Sequence, residues 1–244
     1  MHELWFTALM NQYLAGPANA ILDAFGQSAA HRDKPWTNFM AMEILVVAFL
    51  IVLPLILRPM LSVTKPGVLQ QSFELIWEML RGQAHDIIGH GSDKYVYLFG
   101  TFFVFILFAN LLGMIPTFEA PTMYPAVPLG IAIISFLYYN WAGIAEQGVI
   151  GHLKHFAGPL WWLAWFLFPI EIISHLIRPM SLTIRLYANM FAGEEVTLSF
   201  MALAPLVVPV LVMLLHFFVS ILQAFIFTVL TMVYVGGVVA HEDH

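Results

Sequence analysis

Long apolar runs separated by short polar breaks organise this chain, and their lengths predict helices that cross a membrane. Residues 36–57 are interrupted by one charge, Glu43, and closed by Arg58 and Pro59. Residues 95–118 and 120–145 carry no charge, with Glu119 and Pro121 in the short connection between them. Residues 156–201 form an apolar run with charges inside it, and 196–240 is again uncharged. A spanning helix needs about 20 predominantly apolar residues. The pattern therefore predicts five membrane-embedded helices, over about 36–57, 95–118, 122–145, 159–200 and 205–240. Two further stretches read differently. Between 68 and 90, Leu69, Phe73, Ile76, Trp77, Leu80, Ala84, Ile87 and Ile88 recur at helical spacing, while Glu74, Glu78, Arg81 and Asp86 fall on other faces. That predicts an amphipathic helix over about 67–90, lying on the cytoplasmic surface. Residues 4–25 repeat the pattern more weakly, lack the basic start of a signal peptide, and are expected to be retained.

Basic residues orient the spans, because short cytoplasmic loops collect Lys and Arg. Arg58, Lys65, Arg81, Lys94 and Lys154 fall on one side if the second and third spans form a hairpin, against Arg32 and Lys34 on the other. The N-terminus is thus expected outside and the C-terminus in the cytoplasm. Neither internal repeat nor hinge linker divides the chain. It reads as an external or interfacial segment, 1–35, followed by a single membrane domain, 36–244.

Length makes the last helix unusual. Residues 206–240 would extend roughly 52 Å as a helix, against a hydrocarbon core of about 30 Å. Residues 210–234 contain no Gly, Pro, Asn or Asp to fold the segment back. Lying wholly within the core would need a tilt of roughly 55°, beyond the usual 0–40°. The run before it has the same surplus, with Pro169 and Pro179 as possible kinks. Helices lying that flat need a large partner to lie against.

Composition fixes the class. The chain has 244 residues, 61% of them hydrophobic and only 10% charged, where a soluble domain carries roughly 25% charged residues. Mean hydropathy is +0.85. So few charges cannot cover a soluble surface, and the net charge of −6 gives nucleic-acid phosphates nothing to bind. The lack of cysteine removes disulfides, thiol nucleophiles and Cys-ligated metals. Neither cofactor nor metal is expected. No phosphate-binding loop of the Walker type occurs, so ATP chemistry would belong to another chain. The expectation is an all-α integral membrane protein.

The few charges it does have sit where charge is costly. An Arg or Lys near mid-bilayer costs at least ~2.5–3.5 kcal/mol and usually faces a partner or a water-filled cavity. Glu171, His175, Arg178, Ser181, Arg185 and Asn189 fall on one helical stripe, spaced to stay on one face. Glu194, beside Glu195, points the opposite way from Arg185 on an unbroken helix. In the last helix His216, Ser220, Gln223 and Tyr234 share a face. With the orientation above, Glu171 and His175 lie toward the cytoplasm and Glu194 and Glu195 toward the outside. His216 falls near the level of Glu194, and Gln223 near that of Arg185. Glu and His can relay protons once burial and neighbours bring them near neutral titration. A guanidinium keeps its proton and cannot. A fixed cation between two relays suits ion transfer through two half-paths that do not join. The structural alternative for Arg185 is an ion pair with Glu171 or Glu194. For Arg178 it is snorkelling to the interface, for His175 a satisfied core histidine, and for Ser181, Ser220 and Tyr234 helix-packing hydrogen bonds.

The run RPMSLTIRLYANMFAGE at 178–194 closely resembles the signature of subunit a of F-type ATP synthases. His216 followed by LQAFIFTVLTMVY at 222–234 is similar to that family's final helix, and NLLGMIP at 110–116 resembles the end of its second span. The resemblance implies a stator subunit beside a ring of proteolipids, each with a mid-membrane carboxylate. The last two helices would form a strongly tilted hairpin along this c-ring. Peripheral stalk subunit b, other ATP synthase subunits and the lipid bilayer would be the remaining partners. It implies that Arg185 is the essential arginine, with Asn189 and Gln223 as polar neighbours. Glu194 and His216 would belong to the outer half-channel and Glu171 to the cytoplasmic exit, with His175, Glu195, Ser181, Ser220 and Tyr234 as secondary candidates. Gly113 departs from the pattern, standing where some bacterial members carry a carboxylate; Glu119, Glu195 and the histidines are the candidates to replace it.

The function so implied is proton translocation coupled to ATP synthesis, without enzymatic chemistry in this chain. Its Na⁺-coupled version and an unrelated proton-coupled secondary transporter are the alternatives. A transporter would show inverted repeats and broken helices around a substrate; a haem subunit would need axial histidines at one depth, where His175 and His216 differ. With no transit-peptide pattern, the plasma (inner) membrane of a bacterium is the expected location.

Overall fold

The computed structural model describes residues 4–24, 33–62, 65–89, 91–115, 118–157, 164–203 and 207–239. Arg32, Pro116 and the span limits at 159, 205 and 240 fall outside them, as does the Lys154 side chain. Among the described residues all regular structure is helical: α1 (Trp5–Ala24), α2 (Asn38–Leu57), α3 (Val68–Ile88), α4 (Asp93–Leu112), α5 (Ala126–Ala157), α6 (Ala164–Leu203) and α7 (Val207–Val239), with 3₁₀ turns at Arg58–Met60 and Pro121–Met123. Four stretches, Asn38–Leu57, Asp93–Leu112, Ala126–Gly148 and Val208–Val239, are long and apolar enough to cross a membrane. This is a multi-pass membrane protein. The 40-residue α6 departs from that composition because Glu171, Arg178, Arg185, Glu194 and Glu195 all lie within it.

Two expected spans change their bounds. The second span, expected over 95–118, stops being helical at Leu112, where Met114 N–H bonds the Leu111 carbonyl (3.1 Å) and Ile115 N–H the Leu112 carbonyl (3.1 Å), a tightened last turn. The third, expected over 122–145, begins at Ala126, because Pro121–Met123 is a 3₁₀ turn entered through extended Ala120. It then continues to Ala157 across a break at Gly148, whose φ of 72° is open to glycine. Charge cannot mark these ends: 113–118 carries none. Irregular backbone is tolerated in a membrane where protein surrounds it.

α4, α5, α6 and α7 pack around one apolar core, with α3 laid against α4 and α7. On α4 the buried positions Val96, Phe99, Phe103 and Ile106 repeat at helical spacing; on α6 they are Leu182, Leu186 and Met190. From α3 come Leu80, Ala84 and Ile88, while Leu69, grouped with them by periodicity, is 60% exposed. α3 thus commits its C-terminal half to the core. Side-chain contacts mark the two ends of the bundle. At one, Arg81 Nε donates to Asp93 (2.7 Å), Lys94 pairs with Glu146, and Gln147 Nε2 donates to the Val238 carbonyl (2.8 Å). At the other, the 118–125 connector meets the starts of α1 and α2 through ring contacts of Phe118 with Trp5 (6.0 Å) and Tyr124 with Phe39 (5.4 Å).

Candidate functional site

α6 runs helically through both Pro169 and Pro179, so the stripe inferred from residue spacing is a real face. Along it Glu171, Arg178, Ser181 and Arg185 are half-buried, His175 is buried and Asn189 exposed. At the Glu171 end, the Arg178 guanidinium lies 3.7 Å from the Glu171 carboxylate and 5.2 Å from the centre of the Tyr234 ring. The Tyr139 hydroxyl is 3.1 Å from His175 Nδ1, and the Tyr139 and Tyr234 rings are 5.9 Å apart. Glu171, His175 and Arg178 thus share the face on which the sequence grouped them, and Tyr234, grouped with His216, Ser220 and Gln223 on the last helix, joins them across the helix pair. Tyr139, from α5, was missed. Its signal was the polar pair Ser135 and Tyr139, one helical turn apart in an uncharged run; Ser135 in turn meets Thr231 of α7 at 3.1 Å.

Arg185 stands apart. It makes no hydrogen bond or ion pair with any described residue, since Glu171 is taken by Arg178 and Glu194 lies more than two turns on. The internal pairs considered as the structural alternative do not form. One turn beyond Arg185, Asn189 Nδ2 donates to Gln223 Oε1 at 2.8 Å, tying α6 to α7. Gln223 is buried, and its Nε2 has no partner among the described residues. A buried donor of this kind costs about 1–3 kcal/mol unless something accepts from it. Ser181 bonds to none of these groups.

A second cluster forms at the connector end. A Cβ on Gly193 would come within 2.9 Å of the His216 ring, so the imidazole lies directly on the α6 backbone beside Glu194. Ser220, one turn along α7, donates its hydroxyl to the His216 carbonyl (2.8 Å). Nε2 of His216 is buried without a hydrogen-bond partner among the described residues. Glu194 is half-buried and Glu195 exposed. In the connector, Tyr124 donates its hydroxyl to Glu119 Oε2 at 2.6 Å. Burial and that carboxylate both hold the Tyr124 hydroxyl above its ordinary titration range, so it remains a donor.

This arrangement has one unpaired, fixed cation flanked on one side by Glu171, His175 and Tyr139 and on the other by Glu194 and His216. The model of the family described as ATP synthase A chain matches residues 39–236, which takes in every group of the site. The chain belongs to that family. Relatives agree over nearly the whole length. An ATP synthase subunit a of Solibacter usitatus is 53% identical over 234 residues, covering 96% of this chain and 100% of the relative. One of Koribacter versatilis is 50% identical over 240 residues, 98% of each chain. One of Helicobacter hepaticus is 40% identical over 203 residues, 82% of this chain and 89% of the relative.

Proposed function

We propose that this chain is the proton-translocating stator subunit of a bacterial ATP synthase, lying against a ring of proteolipids that each carry a mid-membrane carboxylate. The observation that carries the reading is Arg185: half-buried on α6 and without an acidic partner among the described residues. A charge in that setting calls for a counter-charge. In this reading a rotor carboxylate provides it.

Protons reach the rotor from outside past Glu194 and His216. A protonated rotor carboxylate is neutral and can turn into lipid. After most of a revolution it meets the cytoplasmic path at Glu171 and His175, and Arg185 then favours its ionised form, releasing the proton. Asn189 and Gln223 hold α6 and α7 in register beside Arg185. Glu195, Ser181, Ser220 and Tyr234 play secondary parts. A membrane potential supplies about 2.3 kcal/mol per charge per 100 mV, so several protons drive each ATP, and the ATP chemistry resides in other subunits.

The same reading makes α6 a fifth crossing, despite its charges, and tilts the α6–α7 hairpin along the ring. It puts residues 1–35 and the 118–125 connector outside and the C-terminus in the cytoplasm of a bacterium, with 36–244 as one membrane domain. Subunit b of the peripheral stalk is a further partner. H⁺ is preferred over Na⁺ because His175 and His216 stand on the two paths, and imidazole relays protons but does not favour Na⁺.

The test is Arg185→Ala in the assembled synthase. ATP-driven acidification of inverted membrane vesicles should be lost, by at least about 100-fold, while ATP hydrolysis by the detached head persists. Acidification at the unmodified rate would overturn the assignment, and pumping that requires Na⁺ would favour the sodium version.

A further inference from the structure

Gly113 has no room for a side chain. A Cβ there would stand 2.7 Å from the Ala120 Cβ and 2.9 Å from the Ala120 backbone nitrogen. The connector folds back over the end of α4, with Phe118 N–H bonded to the Ile115 carbonyl (3.0 Å). A carboxylate at position 113 is thus excluded by backbone, not merely absent. The same fold-back brings in Glu119, the residue before the covering Ala120.

Three independent links fix where Glu119 goes. Its Oε2 accepts the 2.6 Å hydrogen bond from Tyr124. The 3₁₀ turn Pro121–Met123 packs on α6, and buried Thr122 donates to Asn110 Oδ1 (2.6 Å), whose amide lies 3.5 Å from the Ser220 carbonyl, one turn beyond His216. Tyr124 feels both Glu119 and Glu194.

We propose that Glu119 is the outermost proton-carrying carboxylate of the path leading to Glu194 and His216, with Tyr124 as its positioning residue. The inference rests on the proton-translocation reading above. A proton from external water adds to the Glu119 carboxylate and passes on to the Glu194 carboxylate, restoring the Glu119 anion; one proton enters and one leaves. Tyr124 donates a hydrogen bond throughout and keeps its own proton. Glu195, exposed on α6, is the less suited candidate, because it has no such hold.

The experiment uses the assembled synthase in inverted vesicles, reading both ATP synthesis under an imposed proton gradient and ATP-driven acidification. Glu119→Gln should lower both at least tenfold, Glu119→Asp should restore most of the rate, and Tyr124→Phe should fall between. To separate carboxylate chemistry from folding, Glu119→Cys is alkylated; this chain has no other cysteine. Iodoacetate, which rebuilds a carboxylate, should recover proton flow, whereas iodoacetamide, of similar shape but neutral, should not. Equal recovery with both reagents, or full rates in Glu119→Gln, overturns the role of Glu119. Arg185→Ala run alongside keeps the two readings apart: blocked flow there with normal Glu119→Gln removes only this inference.

Discussion

His216 lies against bare backbone, and that contact ties the proposed relay residue to a glycine it never bonds. Any side chain at Gly193 would push into the imidazole, with the nearest ring atoms at 2.9–3.2 Å. Gly193→Ala should therefore displace the His216 ring while leaving the helix intact, because Ala favours helix over Gly by about 1 kcal/mol. Since a misplacement of about 1 Å at a reacting group can cost 10²-fold, ATP-driven acidification should fall about 10–100-fold with normal assembly. Unchanged pumping in assembled Gly193→Ala would show that proton flow does not depend on this ring position. At this scale the charged and amide candidates were legible in the sequence, because Arg185, Glu194, His216 and Gln223 stand out in apolar surroundings. Tyr139 and Tyr124 were not. A tyrosine counts as apolar in a hydrophobic run, and each hydroxyl found its role through a fold: Tyr139 through His175, on another helix, and Tyr124 through a connector that doubles back.

Among the elements, α3 owes its place to close approach. Gly236 of α7 sits under it, and a Cβ there would meet the Ile87 carbonyl oxygen at 3.2 Å. Gly237, next in sequence, faces open space. Gly236→Leu should overpack this contact and cost about 1–3 kcal/mol, lowering the thermal midpoint of the detergent-solubilised complex, whereas Gly237→Leu should leave it unchanged or raised. Equal shifts for the two variants would mean that α3 does not seat on Gly236. The amphipathic pattern did predict α3 and most of its buried face. It could not say that Leu69 stays out, since that depends on how far α4 and α7 extend beneath the helix. Nor could it find the end of α4 at Leu112. The residues that follow carry no charge to announce the end, and the closure of Ala120 on Gly113 marks it only in the folded chain.

For the whole molecule, the bundle has two ends with different chemistry, and its sidedness is open to a direct measurement. Lys65, between α2 and α3, and Pro125, ahead of α5, are both exposed and belong to opposite ends. In a chain without native cysteine, Lys65→Cys should react with a membrane-impermeant maleimide only in inverted vesicles, and Pro125→Cys only in right-side-out ones. The reverse pattern would invert the proposed topology, and with it the assignment of the outer path. The large outward-facing apolar residues of α6 and α7, such as Ile173, Ile177, Ile184, Leu211, Leu214 and Phe218, suit lipid or a partner's helices, as a tilted hairpin beside a rotor requires. The sequence by itself determined the class, the helices and the set of costly charges, because hydropathy and charge are summed along the chain and need no partner to be read. The tertiary structure decided which of those charges pair. It gave Arg178 to Glu171, left Arg185 without an acid among the described residues, and closed position 113 while bonding Glu119 to Tyr124. Pairing is a matter of distance across helices, and spacing along a single helix does not contain it.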